Sequence, residues 1–219
     1  MKKILVAAAV AAAFTGPALA ADIAPPPPPV VEPAPQFSWV HTIYIGGQLG
    51  YGLGYKDWDY IGPNTHQVRG LLAGVQGGIN VRRGNLVVGA EADWNWSNII
   101  GSADCPVMFT CISEINWIAT WTARAGIMAG PALLYLEGGV AVANETFTDI
   151  TPVETDIITV RNLGWTVGGG AEFSVGTNWA IDLEYSYVDF GTDTYDGLSG
   201  ELIVTQSLHM VRLGVNRLF

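Results

Sequence analysis

The sequence predicts an all-β protein, an eight-stranded antiparallel up-and-down transmembrane β-barrel. Three observations support this prediction. The 219 residues are 49% hydrophobic and only 14% charged, with 27 glycines and a mean hydropathy of +0.29. After the first twenty residues, no stretch has 18 consecutive apolar residues, which argues against helical membrane spans. Apolar residues instead alternate with small or polar ones, the period of a strand with two different faces.

The first element is a secretory signal peptide, residues 1–20. Two lysines precede an apolar run at 4–14, and Ala18 and Ala20 form an A-x-A cleavage site. The run is about half the ~20 residues that a spanning helix needs, so a cleaved signal is favoured over a membrane anchor. Cleavage after Ala20 leaves 8 basic and 20 acidic residues, a net charge of −12. This charge argues against nucleic-acid binding.

A proline-rich linker follows at residues 21–40. Eight of the twelve prolines in the chain precede Gln36. Such a segment favours extended polyproline II conformation, at ~3 Å per residue, over packing into a core. Composition alone leaves two interpretations open, a disordered leader and a periplasmic tether.

Residues 41–219 contain eight alternating segments, each near the ~10 residues of a tilted transmembrane strand. The segments lie at about 45–55, 73–82, 86–96, 117–127, 134–142, 165–173, 179–187 and 211–219. Glycines, glutamates and arginines share the face opposite the aliphatic and aromatic residues. A soluble barrel such as a lipocalin hides its apolar side chains inside. Here the apolar face must point outward into something apolar, which predicts a membrane barrel.

The connections alternate between short and long. Tight turns are predicted at 83–85, 130–132 and 176–178, and longer polar loops at about 56–66, 97–114, 144–161 and 189–203. Short turns at one end and long loops at the other are typical of an outer-membrane barrel, in which the short side is periplasmic.

Aromatic residues cluster at both ends of the segments, as the two interfacial girdles of a membrane barrel require. Those near the long loops are Tyr55, Trp94, Trp96, Trp117, Trp165, Tyr185 and Tyr187. Those near the short turns are Phe173, Trp179 and Phe219.

Charged residues on the inner faces predict an interior charge plug. Eight strands enclose a space just wide enough for side chains, so these groups should bond to one another and not line an open pore. The predicted plug residues are Glu91, Arg124, Glu137, Glu172, Glu184 and Arg212. A closed lumen gives a substrate no access, so we predict that the protein is not an enzyme and has no metal or cofactor. Ser207 and His209 share a face of the last segment, but no acid or oxyanion donor is identifiable beside them.

Two cysteines, Cys105 and Cys111, lie six residues apart in the second long loop. In an exposed loop of a secreted protein, this spacing favours a small disulfide. Free thiols or metal binding are the alternatives.

Four segments carry a resemblance to a known family. They are 44–51 with the motif Y-I-G-G, 164–172 with G-W-T-V-G, 178–189 with E-Y-S-Y-V-D, and 209–219. Over residues 37–219 the chain resembles the small outer-membrane β-barrel proteins, a porin-like family with an OmpA-type eight-stranded barrel. The likeness is greatest to the surface-antigen and hemin-binding branch of alpha-proteobacteria. The two cysteines depart from the pattern of that family.

The resemblance implies how the chain is assembled and anchored. The terminal strand, with Val211, Leu213, Val215 and Phe219, resembles the signal that the barrel-assembly machinery recognises. The mature start at Ala21, followed by the proline-rich spacer, resembles family members whose N-terminus is joined to peptidoglycan.

We therefore expect a multi-pass protein of the Gram-negative outer membrane, in contact with lipid and lipopolysaccharide, with its N-terminal linker in the periplasm. The predicted function is structural: it contributes to envelope integrity and tethers the outer membrane to peptidoglycan. The alternative is a porin-like protein or a hemin- or ligand-binding surface protein. Tyr60, His66, Met108 and Tyr195 are the side chains that could approach iron from the loops.

Overall fold

The computed structural model describes residues 41–59, 63–105, 109–150, 155–197 and 200–219. These residues form eight antiparallel strands in a closed barrel, each strand pairing with its neighbours in sequence and β1 with β8. The fold prediction is therefore confirmed. The strands are β1 (His41–Asp59), β2 (Pro63–Arg83), β3 (Leu86–Cys105), β4 (Phe109–Ala129), β5 (Ala132–Ile150), β6 (Thr155–Val175), β7 (Trp179–Gly197) and β8 (Gly200–Leu218). No helix that could cross a membrane occurs among these residues. The predicted signal peptide and linker lie outside them.

The three short connections define one end of the barrel, called the short-turn end below. Each contains a glycine with positive φ: Gly84 at 64°, Gly130 at 64° and Gly176 at 70°. This left-handed conformation strains residues with a side chain, and it matches the turn to the twist of the paired strands. The predicted turn positions are confirmed.

The strands are 19 to 21 residues long, so the predicted length of ~10 residues is wrong. Most of the four predicted long loops are in fact paired strand. The acidic residues there had suggested loops, but the same segments are rich in threonine, isoleucine and valine, as in 157–160. Such residues favour a paired, half-exposed strand.

The outer surface is apolar over the part of the barrel next to the short turns. Leu136 is 74% exposed, Leu49 68% and Leu213 56%, while the interleaved Gln48 and Arg212 are buried. The predicted outward face is confirmed on every strand, with one local difference. Trp117 is only half-exposed, and its indole stacks on that of Trp94 with ring centroids 4.2 Å apart. Ala119, predicted to be exposed, lies under this stack and is buried.

The far half of the strands, which we call the extension, is divided into two sheets. The β2–β3 pairs end at Arg69 and Ile100, and the β6–β7 pairs end at Trp165 and Asp189. Beyond these points the described pairs run within β7-β8-β1-β2 and within β3-β4-β5-β6. The ring of pairs is thus complete only in the half next to the short turns.

A bulge on β7 accompanies the second of these separations. The β7–β8 register skips between Asp189 and Gly191, and Gly191 has φ of 71°. The Asp189 carboxylate accepts a hydrogen bond from the Gly191 N–H at 2.7 Å. The side chain of the skipped residue, Phe190, is buried. A bulge bends its strand and ends regular pairing, which turns β7 away from β6 here.

Candidate functional site

The barrel interior contains the most densely paired polar side chains of the described structure. We call them the charged cluster. It consists of Glu91, Asp93, Arg124, Glu137, Glu172, Asp182, Glu184 and Arg212, all buried. They come from six strands, because inward-facing positions of neighbouring strands meet inside a small barrel. All six residues of the predicted plug are among them.

Arg124 on β4 contacts side chains from three other strands, β2, β3 and β6. Its Nη1 lies 3.2 Å from Glu91 Oε2, and its Nη2 lies 3.3 Å from Glu172 Oε2. Its Nε donates to Asn80 Oδ1 at 2.9 Å. The guanidinium also lies over two tyrosine rings, with Cζ 4.6 Å from the Tyr44 centroid and 5.0 Å from that of Tyr135. The cation is therefore held by three polar side chains and two aromatic rings.

The two tyrosines also reach the carboxylates with their hydroxyl groups. Tyr44 donates to Glu91, and Tyr135 donates to Glu184 Oε2 at 3.2 Å. Sequence reasoning missed these residues, although each falls on the inward-facing set of its strand. Their rings fit because the facing residue is glycine: a Cβ at Gly78 would come within 2.2 Å of the Tyr44 hydroxyl.

Arg212 on β8 contacts three further carboxylates. Its Nη1 lies 2.5 Å from Asp93 Oδ1, and its Nη2 contacts Glu184 and lies 4.0 Å from Glu137 Oε1. One oxygen each of Glu91, Glu137 and Glu184 lies within 4.8 Å of the others, close enough in principle to share a cation. Arg124 and Arg212 already contact this group, and arginine holds its charge under all ordinary conditions. Five carboxyl groups thus contact two guanidinium groups, and the sixth of the cluster, Asp182, accepts from Gln76 and Asn216.

An apolar layer, which sequence reasoning missed, fills the interior on the side of the charged cluster away from the short turns. Its larger members are Val68, Leu72, Ile99, Ile115, Ile118, Val188, Phe190, Leu208 and Met210, all buried. A second apolar group closes the short-turn end around Val87, Met128, Leu133 and Leu218. The charged cluster therefore lies between two apolar plugs of side chains.

Lys56 and Glu145 form an ion pair beyond the apolar layer, where both residues are fully buried. The sequence placed them in long loops. In the structure they continue the inward-facing set of β1 and β5 into the extension. Glu145 Oε2 also accepts from Asn162 Nδ2 at 3.1 Å, and Lys56 Nζ lies 4.9 Å from the Phe147 centroid.

Other predicted site residues do not meet in one place. His66, considered for iron, is buried in the extension, where burial and the Lys56 ammonium lower its pKa to about 4. Tyr60 and Met108 lie outside the described residues, as do the side chains of Tyr195, Cys105 and Cys111. The predicted disulfide stays a prediction. Val211, Leu213, Val215 and Phe219 all point outward and are exposed.

Ser207 and His209 lie on the outer wall and not in the interior. His209 Nδ1 is 2.7 Å from the Tyr185 hydroxyl, and its ring lies 5.0 Å from that of Tyr187. The described contacts include no hydrogen bond between Ser207 and His209. The histidine belongs to an aromatic patch at the long-loop end of the apolar wall.

A closed antiparallel barrel with an apolar exterior and a paired polar interior defines the class of membrane-spanning β-barrels. Comparison with known proteins agrees. The model of the outer membrane protein beta-barrel domain matches residues 6–216. The 31 kDa outer-membrane immunogenic protein of Brucella melitensis is 30% identical over 99% of this chain and 100% of its own length. The 22 kDa outer membrane protein of Rhizobium leguminosarum is 31% identical over 83% of this chain and 78% of its own.

This chain belongs to the outer-membrane β-barrel protein family, as the sequence motifs had indicated, and its location is the Gram-negative outer membrane. Among solved structures, Ail of Yersinia pestis covers 80% of this chain and 98% of its own at 13% identity, with a TM-score of 0.44. Neisserial surface protein A covers 79% and 97% at 13% identity, with a TM-score of 0.42.

Proposed function

We propose that the protein is a non-conducting, non-enzymatic structural barrel that strengthens the outer membrane and its attachment to the cell wall. The observation that carries this proposal is the filled interior: two apolar groups enclose a charged cluster held by Arg124 and Arg212. A conducting barrel needs a continuous wet path, and eight strands leave little room for one.

The apolar layer is the stronger of the two obstacles. An ion entering from the extension would meet Ile99, Ile118 and Leu208, which offer no oxygen to replace its water. Apolar constrictions of this kind exclude ions by dewetting. Below them, the ion would have to separate Arg212 from Asp93 and Glu184, which would leave buried charges without partners.

Conductance in planar bilayers tests this proposal against the porin-like alternative. We expect the purified wild-type protein to give no stable, large unit currents. A variant with Ile99→Ala and Leu208→Ala should leak measurably more, because both truncations thin the apolar layer. The matched variant Leu49→Ala and Leu213→Ala shortens two outward-facing side chains and should behave as wild type. Large, reproducible unit currents from the wild-type protein would refute the plugged barrel.

The attachment to the wall is proposed at Ala21. In support, β1 begins with His41 at the short-turn end, since His41 pairs with Val81 only two residues before the end of β2. In barrels of this class the short-turn end faces the periplasm, the compartment that holds the cell wall. Twenty residues in polyproline II conformation reach about 60 Å. The α-amine of Ala21 would replace the terminal residue of a peptidoglycan stem peptide, so that one peptide bond breaks as another forms.

Mass spectrometry of muropeptides released by lysozyme tests the tether. We expect a peptide starting at Ala21 that carries the mass of a stem peptide on its α-amine. When the wall is treated with a protease but not with lysozyme, the same peptide should stay in the insoluble wall fraction. A free Ala21 amine in all recovered protein, from preparations in which other wall-linked proteins are detected, would contradict the tether and leave the plugged barrel unaffected.

A further inference from the structure

We propose that the outer wall carries a binding site for one phosphorylated lipid, the lipid A part of lipopolysaccharide, at the place where β2 separates from β3. The site combines an apolar groove with one exposed guanidinium group, that of Arg69. It depends neither on the closed interior nor on the N-terminal tether.

The groove runs along the outer surface of β1, β2 and β3 and has a volume of about 390 Å³. Ala73 lies between Leu49 and Trp96 in the register of the three strands. Leu49 is 68% and Trp96 58% exposed, so two large side chains stand on either side of a methyl group. Leu71, also exposed, continues one wall toward the extension. The result is an open apolar channel suited to a hydrocarbon chain.

The groove exists because the β2–β3 ladder is interrupted. Pairing passes from Leu72 with Ser97 to Arg69 with Ile100, so the two pairs between them are missing although the register is unchanged. Asn98 lies in this gap and also within the irregularity between Trp96 and Ile99 in the β3–β4 register. The Asn98 side chain replaces the missing backbone acceptor, since its Oδ1 takes the Leu71 N–H at 2.9 Å. Gly70 allows the close approach: a Cβ there would come within 2.2 Å of the Asn98 carbonyl oxygen. The Leu71 N–H at the gap thus keeps a hydrogen-bond acceptor, so the gap is an ordered feature of the sheet and not a frayed strand end.

Arg69 lies where the apolar wall ends. The outward-facing residues of β2 from Val81 to Leu71 are apolar or small. This segment of eleven residues rises about 25 Å on a tilted strand, the height of the apolar band of a membrane barrel. Arg69 is the next outward position and is exposed. It therefore lies at the level of lipid headgroups.

The Arg69 guanidinium has apolar neighbours and no carboxylate partner in the described structure. Its register neighbours are Leu53 on β1 and Ile100 on β3. Glu114 on β4 is the register partner of Ile100, but none of the described ion pairs within 4 Å joins Glu114 to Arg69. An unpaired arginine at the edge of an apolar wall favours an anion that can accept two parallel hydrogen bonds, and a phosphate does so.

The two features together select a lipid with a phosphate at the headgroup level and acyl chains directly below it. Arg69 precedes Leu71 by two positions on the same face, so a phosphate on the arginine places the first chain carbons at the groove. The long-loop end faces the cell exterior if the short turns are periplasmic. The lipid of that leaflet with phosphate directly on its acylated core is lipid A.

Binding of purified lipid A to the detergent-solubilised full-length barrel, measured by native mass spectrometry, tests the site. We expect one lipid A per barrel. Arg69→Gln should weaken this binding about tenfold, the loss expected for one charge-assisted contact. Ala73→Leu fills the groove and should weaken it to a similar degree. Arg161→Gln changes another exposed arginine of the extension and should leave binding unchanged.

Probes of other chemistry separate the possible sources of binding. Dephosphorylated lipid A and phosphatidylethanolamine should each bind at least tenfold more weakly than lipid A. Equal binding of phosphatidylethanolamine, equal binding of the dephosphorylated lipid, or unchanged binding by Arg69→Gln would each overturn the proposal. Heat-dependent migration in gels shows whether each variant is a folded barrel, and Ala73→Leu serves as the second test if Arg69→Gln does not fold.

Discussion

Replacing Arg212 with leucine is expected to destabilise the barrel by about 3 to 5 kcal/mol, the loss typical of breaking a buried ion pair on one side. The substitution leaves Asp93 and Glu184 inside the barrel without the guanidinium that contacts both. Arg212 is 2% exposed, so water cannot replace the lost contacts. The measurement is urea-induced unfolding of the refolded protein in detergent micelles, followed by tryptophan fluorescence.

Two controls separate the buried charge from loss of side-chain volume. Arg217→Leu removes an exposed arginine of the same strand, whose guanidinium lies 5.3 Å from the Trp179 ring centroid, and should cost less than about 1 kcal/mol. Adding Asp93→Asn and Glu184→Gln to Arg212→Leu should recover part of the lost stability, because the unpaired charges are then gone. Equal destabilisation by the Arg212 and Arg217 changes would show that the buried charged cluster contributes no more to the free energy of unfolding than an exposed arginine does.

Replacing Leu136 with arginine should cost about 2 to 4 kcal/mol, the penalty for arginine on the lipid face near the bilayer midplane. Leu136 is 74% exposed and lies in the middle of the outward-facing set of β5, between Leu134 and Val140. Its backbone partner on β6 is Gly169, so no polar side chain is available to accept the guanidinium directly opposite. Unfolding in lipid bilayers, and not in micelles, is the appropriate measurement because only a bilayer fixes the depth of the residue.

The matched control is Leu163→Arg. Leu163 has nearly the same exposure, 70%, but lies beyond Trp165 toward the extension. Near the interface the penalty falls to about 0 to 1 kcal/mol, because the arginine reaches water and headgroups. If both substitutions cost the same, the position of the apolar belt along the barrel would be wrong.

The sequence predicted the barrel well where lipid imposes the pattern. In the half next to the short turns, exposed positions such as Leu49 and Leu213 must be apolar, and the inner positions Gln48 and Arg212 polar. This contrast has a period of two and can be seen without knowing any partner strand. The short turns were equally predictable, because a positive φ requires a residue such as glycine at each.

The extension was not predictable in the same way, because there the pattern reverses. On β2 the exposed Gln67 and Arg69 enclose the buried Val68, and on β8 the buried residues are Leu208 and Met210. Outside the membrane the outer face meets water and the apolar side chains turn inward. The sequence predicted Lys56 and Glu145 to be loop charges, because the residues around each give no sign that the two side chains meet inside the barrel.

The interior was predictable in composition but not in geometry. The inward-facing positions alone predicted six of the eight acidic and basic residues of the charged cluster. Which carboxylate meets which arginine depends on strand tilt and register, and these are set by pairing between residues far apart in sequence. The missing β2–β3 pairs beside Asn98, where the outer groove lies, have no signal in the composition of β3.

The divided extension has a mechanical consequence. Every strand in the membrane half is held on both sides, whereas the extension has two seams where neighbouring strands are not joined. We expect an insertion at one hairpin tip to act first on one of the two four-stranded sheets of the extension, since no described backbone pair joins them there. Such an arrangement lets the far end of the barrel vary in sequence and shape while the paired ring stays the same.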